Sequence, residues 1–487
     1  MGQNLQARCY VNGKWIDGGG DPIRTVSPAT GELLAETPAA DSALVAEALT
    51  AARQAFDGGP WSTVPAAERG RLLHRLADLL ERDRDEITRL AARELGTPVG
   101  IGATLHVDLP VGLFRWFADA AARGPRGGFE EQMPLHHTPI LSSSMLLRQP
   151  VGVVAAVVAF NVPIYMMGYK LGGALAAGCS TVLLTSPKAL LLTTKAVELI
   201  EEAGFPAGAV NFVFGPPEVT EQVVTAPEVE MVTFTGSAAV GSKIAALAAP
   251  AFKRLVLELG GKSPNLLLPG TDIASTVAAS ALRFTRNTGQ ACGATTRILV
   301  PRDDVDEYVE ASAAFLATLP IGDPLDPATA LGPLITAEHV GVVEGYLERA
   351  REGGALTPVG GGRPSGLDSG AYLEATLVTG VSNTSEISRE ELFAPVGVVI
   401  GYDEVDEAIR MANDSRYALN ANIWGPTNDA IEIARRIRSG NVTINGGSAM
   451  RPDVPWGGPG DSGIGREGGE EGFREFFELK HVQWPVR

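Results

Sequence analysis

Between Val151 and Gly260, short and almost uninterrupted apolar runs alternate with stretches whose apolar residues recur at helical spacing. The runs are VGVVAAVVA (151–159), STVLLT (180–185), AVNFVFG (209–215), VEMVTFTG (229–236) and KRLVLELG (253–260). Between them lie YKLGGALAAG, LLLTTKAVELIEEAG and SAAVGSKIAALAAP. A strand covered on one face alternates apolar and polar residues, whereas one covered on both faces does not, so this β/α alternation predicts a parallel sheet sandwiched by helices. Such an open, doubly wound, Rossmann-type sheet holds ligands at the carboxyl ends of its strands, where FTGS falls.

The flanking regions carry different rhythms. YVNGKWID (10–17) and SPATGELLAETPAA (27–40) read as strand–turn–strand units, and Asp41 as a cap for the helix DSALVAEALTAARQAF. One long helical pattern runs over 66–96, with Leu72, Leu73, Leu76 and Leu80 on one side, and another from roughly Val107 to Ala122. LHHTPILSSSMLLRQ is strand-like. Beyond 259 a second α/β alternation is expected. It comprises a helix in ASTVAASALRFTR, a strand in TTRILVP, a helix in DDVDEYVEASAAFLATL and an irregular stretch from Gly322 to Gly370. It continues with a strand in FAPVGVVIGYD, a helix in DEVDEAIRMAN and a strand in ALNANIWG. The run from Pro150 to Tyr169 is long enough for a membrane span, but Gly and Pro interrupt it, and it changes from β-branched to helical in character. It reads as a buried strand leading through a loop into a helix.

Composition narrows the function classes. At 487 residues the chain is long enough for two or three hydrophobic cores. Its 57 acidic residues against 40 Lys plus Arg give a net charge of -17, which repels phosphate backbones; no nucleic-acid partner is expected. Only eight of the basic residues are Lys, so an anionic cofactor would have to be held largely by backbone amides. The three cysteines, Cys9, Cys179 and Cys292, are far apart, and no pair has metal-ligand spacing, so we expect a reducing compartment, no disulfide framework and no metal. The opening residues lack the apolar core of a signal peptide, and position six is Gln rather than the Ser or Thr of a myristoylation motif; a cytoplasmic location is the expectation.

Three residues stand out chemically. Cys292 follows the turn formers Asn287, Thr288 and Gly289 and precedes Gly293. A lone Cys is ordinarily a small core hydrophobe, but a glycine-rich turn surrounds this one with backbone donors that can lower a thiol pKa and accept developing charge. Glu258 ends an aliphatic strand, where a carboxylate is costly unless paired or protonated; it is either a strand-end residue bonded to loop amides or a base poised to activate water. Asn161 is the polar break in VVAFNVP, either a turn cap or an uncharged amide donor aimed at an oxyanion.

These motifs together resemble the NAD(P)-dependent aldehyde dehydrogenase superfamily. The strongest marks are LELGGKSPN (257–265) and NTGQAC (287–292), supported by FTGSAAVG (234–241), EELFAPV (390–396), ANDSRYALNA (412–421) and PWGGPGDSGIGREGG (455–469). The resemblance implies an α/β fold with a Rossmann-type cofactor domain, a second α/β catalytic domain and a small oligomerisation strand region. It places the cofactor domain at 1–128 and 148–258 and the catalytic domain at 259–445. Oligomerisation strands would lie at 129–147 and 470–487, and a loop closing the active-site region at 446–469. It implies Cys292 as nucleophile, Asn161 with the backbone N–H of Cys292 as oxyanion donors, Glu258 as the base that hydrolyses a thioester, and Lys170 as an aid to proton movement. Cofactor contacts are implied for Phe160, Gly215, Gly236, Ser237, Leu259, Glu391 and Phe393. The partners implied are a small aldehyde and further copies of the chain, as a homodimer or homotetramer.

The sequence also departs from the family pattern. Phe160 stands for a Trp, Leu184 and Thr185 for a Lys-Pro pair, and Pro187 for a Glu that binds the adenosine ribose. Arg286 replaces an aromatic, Ala394 a Gly and Gly460 a Lys. With the side-chain ribose anchors changed, NAD is preferred over NADP because a buried phosphate without a counter-charge is the costlier loss, with Lys188 as the one cation able to reverse that preference. Two alternatives stay open at this stage: an acylating enzyme that passes the acyl group to a thiol, and a cofactor-poor binding or structural member of the fold. A cysteine hydrolase fits less well. None of His74, His106, His136, His137, His339 and His481 lies near the Cys or Glu motifs in sequence, and the cofactor motifs would have no purpose.

Overall fold

The computed structural model describes residues 6–367, 369–448 and 450–486. Its largest sheet has eight strands, in the order Gly463–Ile464, Arg254–Glu258, Met231–Thr235, Val153–Val158, Ser180–Thr185, Val210–Val213, Cys9–Val11 and Lys14–Ile16. The five strands from Arg254–Glu258 to Val210–Val213 run parallel, and those beyond them at either edge pair antiparallel. Every residue of Val153–Val158 and of Ser180–Thr185 is buried, which is why both runs lack a polar alternation. The helices Ser42–Asp57 and Pro163–Ala177 pack on these two strands. The second helix is buried along its whole length, so the membrane-length apolar run is a core strand, a loop and a core helix.

Chain order within this sheet fixes where a ligand cleft opens. From Val153–Val158 the chain steps outward through Ser180–Thr185 and Val210–Val213, then returns to build Met231–Thr235 and Arg254–Glu258 on the other side. The direction reverses between Val153–Val158 and Met231–Thr235, and at such a switch point the loops leaving the two carboxyl ends part to leave a crevice. Phe160 and Asn161 follow one of these ends and Gly236 and Ser237 the other.

A second, seven-stranded sheet runs Leu356–Val359, Thr376–Thr379, Val396–Tyr402, Arg297–Pro301, Pro264–Leu267, Asn420–Trp424 and Asn441–Ile444, parallel except for its first pair. A third, antiparallel sheet joins Glu130–His137, Leu141–Pro150 and Phe477–Pro485.

Several elements differ from the sequence reading. The helical pattern over 66–96 is two helices, Ala66–Arg82 and Arg84–Leu95, broken at Asp83, whose carboxylate pairs with Arg82 and Lys195. The next long helix starts at Leu109, after a wider π-turn over Thr104–Asp108. The stretch 322–370 is not irregular throughout. It holds the helix Ala337–Glu352, capped by Thr336, and the strand Leu356–Val359. The helix buries only Val340, Val343 and Leu347, too thin a stripe to stand out in the sequence. The segment 470–487 opens in the helix Gly469–Arg474, so its strand is only Phe477–Pro485.

Candidate active site

The loop carrying Cys292 is built from unusual backbone. Asn287, Thr288 and Gly289 all have positive φ (50, 53 and 71°), coiling the chain tightly after the helix Ile273–Thr285. Only glycine fits at 289, because a Cβ there would lie 2.2 Å from the Ala394 carbonyl. The strain is held by buried hydrogen bonds: the Thr288 hydroxyl donates to the Gly332 carbonyl (3.1 Å), the Gln290 side chain accepts from the Ile335 N–H (2.9 Å), and the Thr97 hydroxyl donates to Asn287 Oδ1 (3.1 Å). Cys292 is half-buried at the end of this loop, whereas Cys9 and Cys179 are buried with thiols pushed up to about 12 by desolvation.

The two glycines of LELGGK explain how distant segments meet at the end of the Glu258 strand. A Cβ at Gly261 would fall 2.5 Å from the Cys292 carbonyl, and one at Gly260 would fall 2.2 Å from Oε2 of Glu391. Bare backbone therefore admits the Cys292 loop beside one residue and the Glu391 carboxylate beside the next. Glu258 is itself 3% exposed. Its carboxylate faces the Cys292 thiol, and its Oε1 accepts the Trp456 indole N–H at 3.1 Å. Burial, and then the neighbouring Glu467 carboxylate, push the Glu258 carboxyl up to about 7, against the opposing pull of the thiol, the indole and Lys170. The Cys292 thiol in turn is pushed well above its ordinary value by desolvation and by the facing Glu258 carboxylate.

Asn161, buried at the end of its strand, donates through Nδ2 to the Gln290 carbonyl at 2.9 Å, which ties it to the Cys292 loop. Lys170 projects from the helix Pro163–Ala177 and is fully buried. Its ammonium forms an ion pair with Glu467 and donates to the Thr233 hydroxyl at 3.1 Å. It stands behind Glu258, as the counter-charge to a second buried carboxylate. Neither Glu467 nor Trp456 was singled out in the sequence, although both lie in the segment 455–469; a lone acid and a lone indole amid glycines were the available signals.

Most of the residues expected around a cofactor lie in loops at the carboxyl ends of the strands beside the crevice, with Gly215 two strands away, after Val210–Val213. Ser237 is exposed and caps the helix Ala238–Ala248, accepting the Val240 N–H. The hydroxyl of Thr235 beside it is buried without a partner. At Gly236 a Cβ would meet the Phe234 ring at 2.4 Å, Leu259 packs over Gly241, and Gly215 abuts Val219 at the foot of the helix Pro217–Thr225. Glu391 accepts the Gly261 N–H at 3.0 Å, and burial pushes its carboxyl up to about 7. Phe160 and Phe393 meet edge to face with centroids 5.9 Å apart, joining the two large sheets' loops across the crevice. Lys188 places its ammonium 5.6 Å from the Phe160 ring centroid. A ring nitrogen of His339, on the helix Ala337–Glu352, meets the Phe393 carbonyl at 3.2 Å. Among the described residues no group of three or more His, Cys, Asp or Glu is placed to hold a metal, and no helix is long and apolar enough to cross a membrane.

The model of the aldehyde dehydrogenase family matches residues 15–482. The chain is 36% identical to the geranial dehydrogenase of Castellaniella defragrans, over 97% of this chain and 98% of that protein. It is also 36% identical to the aminoacetaldehyde dehydrogenase of Pseudomonas aeruginosa, over 98% of this chain and 96% of that one. Among solved structures, a Mycobacterium tuberculosis aldehyde dehydrogenase complexed with NAD+ superposes with a TM-score of 0.94 at 38% identity, covering 99% of this chain and 98% of its own.

Proposed function

This chain belongs to the aldehyde dehydrogenase family, and on that premise we propose that it oxidises an aldehyde to the carboxylic acid with NAD, through a thioester on Cys292 that Glu258 hydrolyses. The observation that carries this reading is the convergence of a half-buried thiol, a buried carboxylate facing it and a tethered amide beside the switch-point crevice.

The crevice suits a dinucleotide. The unpartnered Thr235 hydroxyl and the Ser237-capped helix N-terminus offer donors to a pyrophosphate without calling on a basic side chain, which the Lys-poor composition scarcely supplies. Gly236 gives close backbone approach, with Gly215 and Leu259 shaping the adjoining walls. Glu391, held by Gly261, would accept from the nicotinamide-ribose hydroxyls, with Phe160 and Phe393 as apolar flanks. NAD is favoured over NADP because Leu184 is buried and apolar, and Lys188 is engaged over Phe160. When bound, the nicotinamide supplies the acceptor for the aldehyde hydrogen.

The chain's own residues do the rest. Glu258 takes the thiol proton as the Cys292 sulfur adds to the aldehyde carbon to form a thiohemiacetal, and passes that proton to solvent before deacylation, which returns it to the anion. The free N–H of the Asn161 amide, with the backbone N–H of Cys292, stabilises the oxyanion. Once the acyl group is a thioester, Glu258 takes a proton from water as the water oxygen adds to the acyl carbon; the C–S bond breaks, releasing the acid and restoring Cys292. Retention of a buried base beside the sulfur supports hydrolysis over transfer to a thiol acceptor. Lys170 neutralises Glu467 and so limits how far Glu258 is driven toward its protonated form.

The third sheet supports association of copies. Leu135, Ile140, Leu141 and Leu479 are exposed along or beside its strands, an apolar surface suited to burial in a homodimer or homotetramer. Light scattering at micromolar concentration tests this, a monomer alone contradicting it. The activity itself is tested by following reduced cofactor with a panel of aldehydes, NAD and the purified protein. Turnover by the wild type and none by a folded C292A is the expected result; no oxidation of any aldehyde would reject the reading.

A further inference from the structure

Among the described residues, one side chain makes a hydrogen bond to the Glu258 carboxylate, and it is an indole. Trp456 Nε1 reaches Oε1 of the carboxylate at 3.1 Å, while the ring covers Gly293, where a Cβ would lie 2.8 Å from Cη2. The residue's backbone is equally fixed. It pairs reciprocally with Glu467, Trp456 N–H to Glu467 O at 2.6 Å and Glu467 N–H to Trp456 O at 2.8 Å, and the Glu467 side chain is anchored on Lys170 and Thr233. The indole is therefore held from both ends: by its ring on the nucleophile loop and by its backbone on the buried ion pair.

We infer that Trp456 is a positioning residue for the deacylation base, its indole N–H gripping one oxygen of the Glu258 carboxylate and fixing the rotation that presents the group to Cys292 and to the hydrolytic water. This inference rests on the functional reading above and assigns it a further residue. A glutamate carries three side-chain torsions, and a misplacement of about 1 Å at a reacting group is worth roughly a hundredfold in rate, so a tether has something to gain. Indole is a donor only: it bonds well to a carboxylate oxygen and cannot accept from a carboxylic acid, so it favours the basic form at the same time as it orients it. The other groups facing Glu258 divide in sign. Cys292, on the nucleophile loop, faces it and favours its anion; Lys170, on the helix Pro163–Ala177, attracts its charge; and Glu467, in the closing segment, repels it. The Tyr165 and Tyr169 hydroxyls, bonded to each other at 2.7 Å, feel its charge from the same helix as Lys170.

The test is acyl-enzyme decay. Wild type, W456F and E258Q are mixed with hexanal and NAD, quenched at intervals across pH 5.5 to 9, and the acylated fraction is read by intact mass. W456F keeps an aromatic ring and loses only the donor. Its decay should be several-fold slower at high pH, where orientation alone is lost, and its acid limb should move up by roughly one pH unit, the scale of one hydrogen bond to a charged group. A decay profile superimposable on the wild type overturns the inference. If E258Q also decays at the wild-type rate, the base assignment fails and the inference with it; if E258Q stalls while W456F does not differ from wild type, the inference alone fails. A second measurement needs no change at Trp456: one indole N–H resonance of the wild type should titrate over the range of the acid limb and cease to titrate in E258Q. No such indole overturns the inference.

Discussion

The side-chain amide of Asn161 is tied to the carbonyl of Gln290 at 2.9 Å, two residues before Cys292. One of its two N–H bonds is thereby spent on fixing the amide, and the other is free for the oxygen of a carbonyl carbon that Cys292 would attack on the proposed mechanism. The tether is backed by Asn287, whose Nδ2 faces both the Asn161 and the Gln290 carbonyls at 3.5 and 3.4 Å. A preorganised donor of this kind is worth about a hundred- to a thousandfold in rate. N161A should lose that much in kcat/KM, with circular dichroism and melting temperature showing a retained fold. A folded N161A with near wild-type kcat/KM would remove the residue from the oxyanion site.

Glu258 accepts a proton only as its anion, and its carboxyl is pushed up to about 7 while the thiol still opposes the rise; once Cys292 is acylated that opposition is gone, so acyl-enzyme decay should rise with pH through an acid limb at or above that value and then level off. Glu467 repels that anion, so E467Q takes away a raising influence and leaves the Lys170 charge uncompensated; both changes move the acid limb to lower pH. K170M acts oppositely, moving the limb up. An acid limb that stays fixed in both variants would show that the buried pair does not act on the base.

The same ion pair predicts a stability cost. Lys170 is fully buried and Glu467 nearly so, and deleting one partner of such a pair leaves a charge without compensation. K170M should therefore destabilise the fold by about 3–5 kcal/mol, read from denaturant unfolding. An unfolding midpoint and slope equal to those of the wild type would contradict it.

Cofactor selectivity is a separate test. With Lys188 engaged over the Phe160 ring, K188A should weaken NAD and NADP alike and leave NAD the better cofactor by kcat/KM. A higher kcat/KM with NADP, lost selectively in K188A, would instead make Lys188 the counter-charge of a ribose phosphate.

Asn161, Glu258 and Cys292 were legible in the sequence for a physical reason: each is a polar residue at the end of an apolar run or in a glycine-rich turn, where such a side chain carries a cost that must be repaid. The β/α alternation was equally visible, since strands buried on both faces cannot hide their composition. Glu467 was not, because its partner Lys170 is 297 residues away and nothing local distinguishes a buried acid from a solvated one. Trp456 escaped for the same reason: its hydrogen bond to Glu258 spans 198 residues. The helix Ala337–Glu352 was missed because its buried stripe is thin. The break at Asp83 was missed because helical spacing continues on either side of it, and only the tertiary pairing with Lys195 marks the interruption.

On the proposed mechanism Cys292 carries the acyl group and Glu258 releases it, and E258Q separates the two roles. Mixed with excess hexanal and NAD, E258Q should form reduced cofactor more slowly than wild type, because Glu258 also faces the thiol, but should stop at about one equivalent per active site. Intact mass should then rise by the aldehyde less two hydrogens, and the peptide bearing the increment should contain Cys292. Continued steady turnover by E258Q, or an adduct on any other residue, would contradict the account.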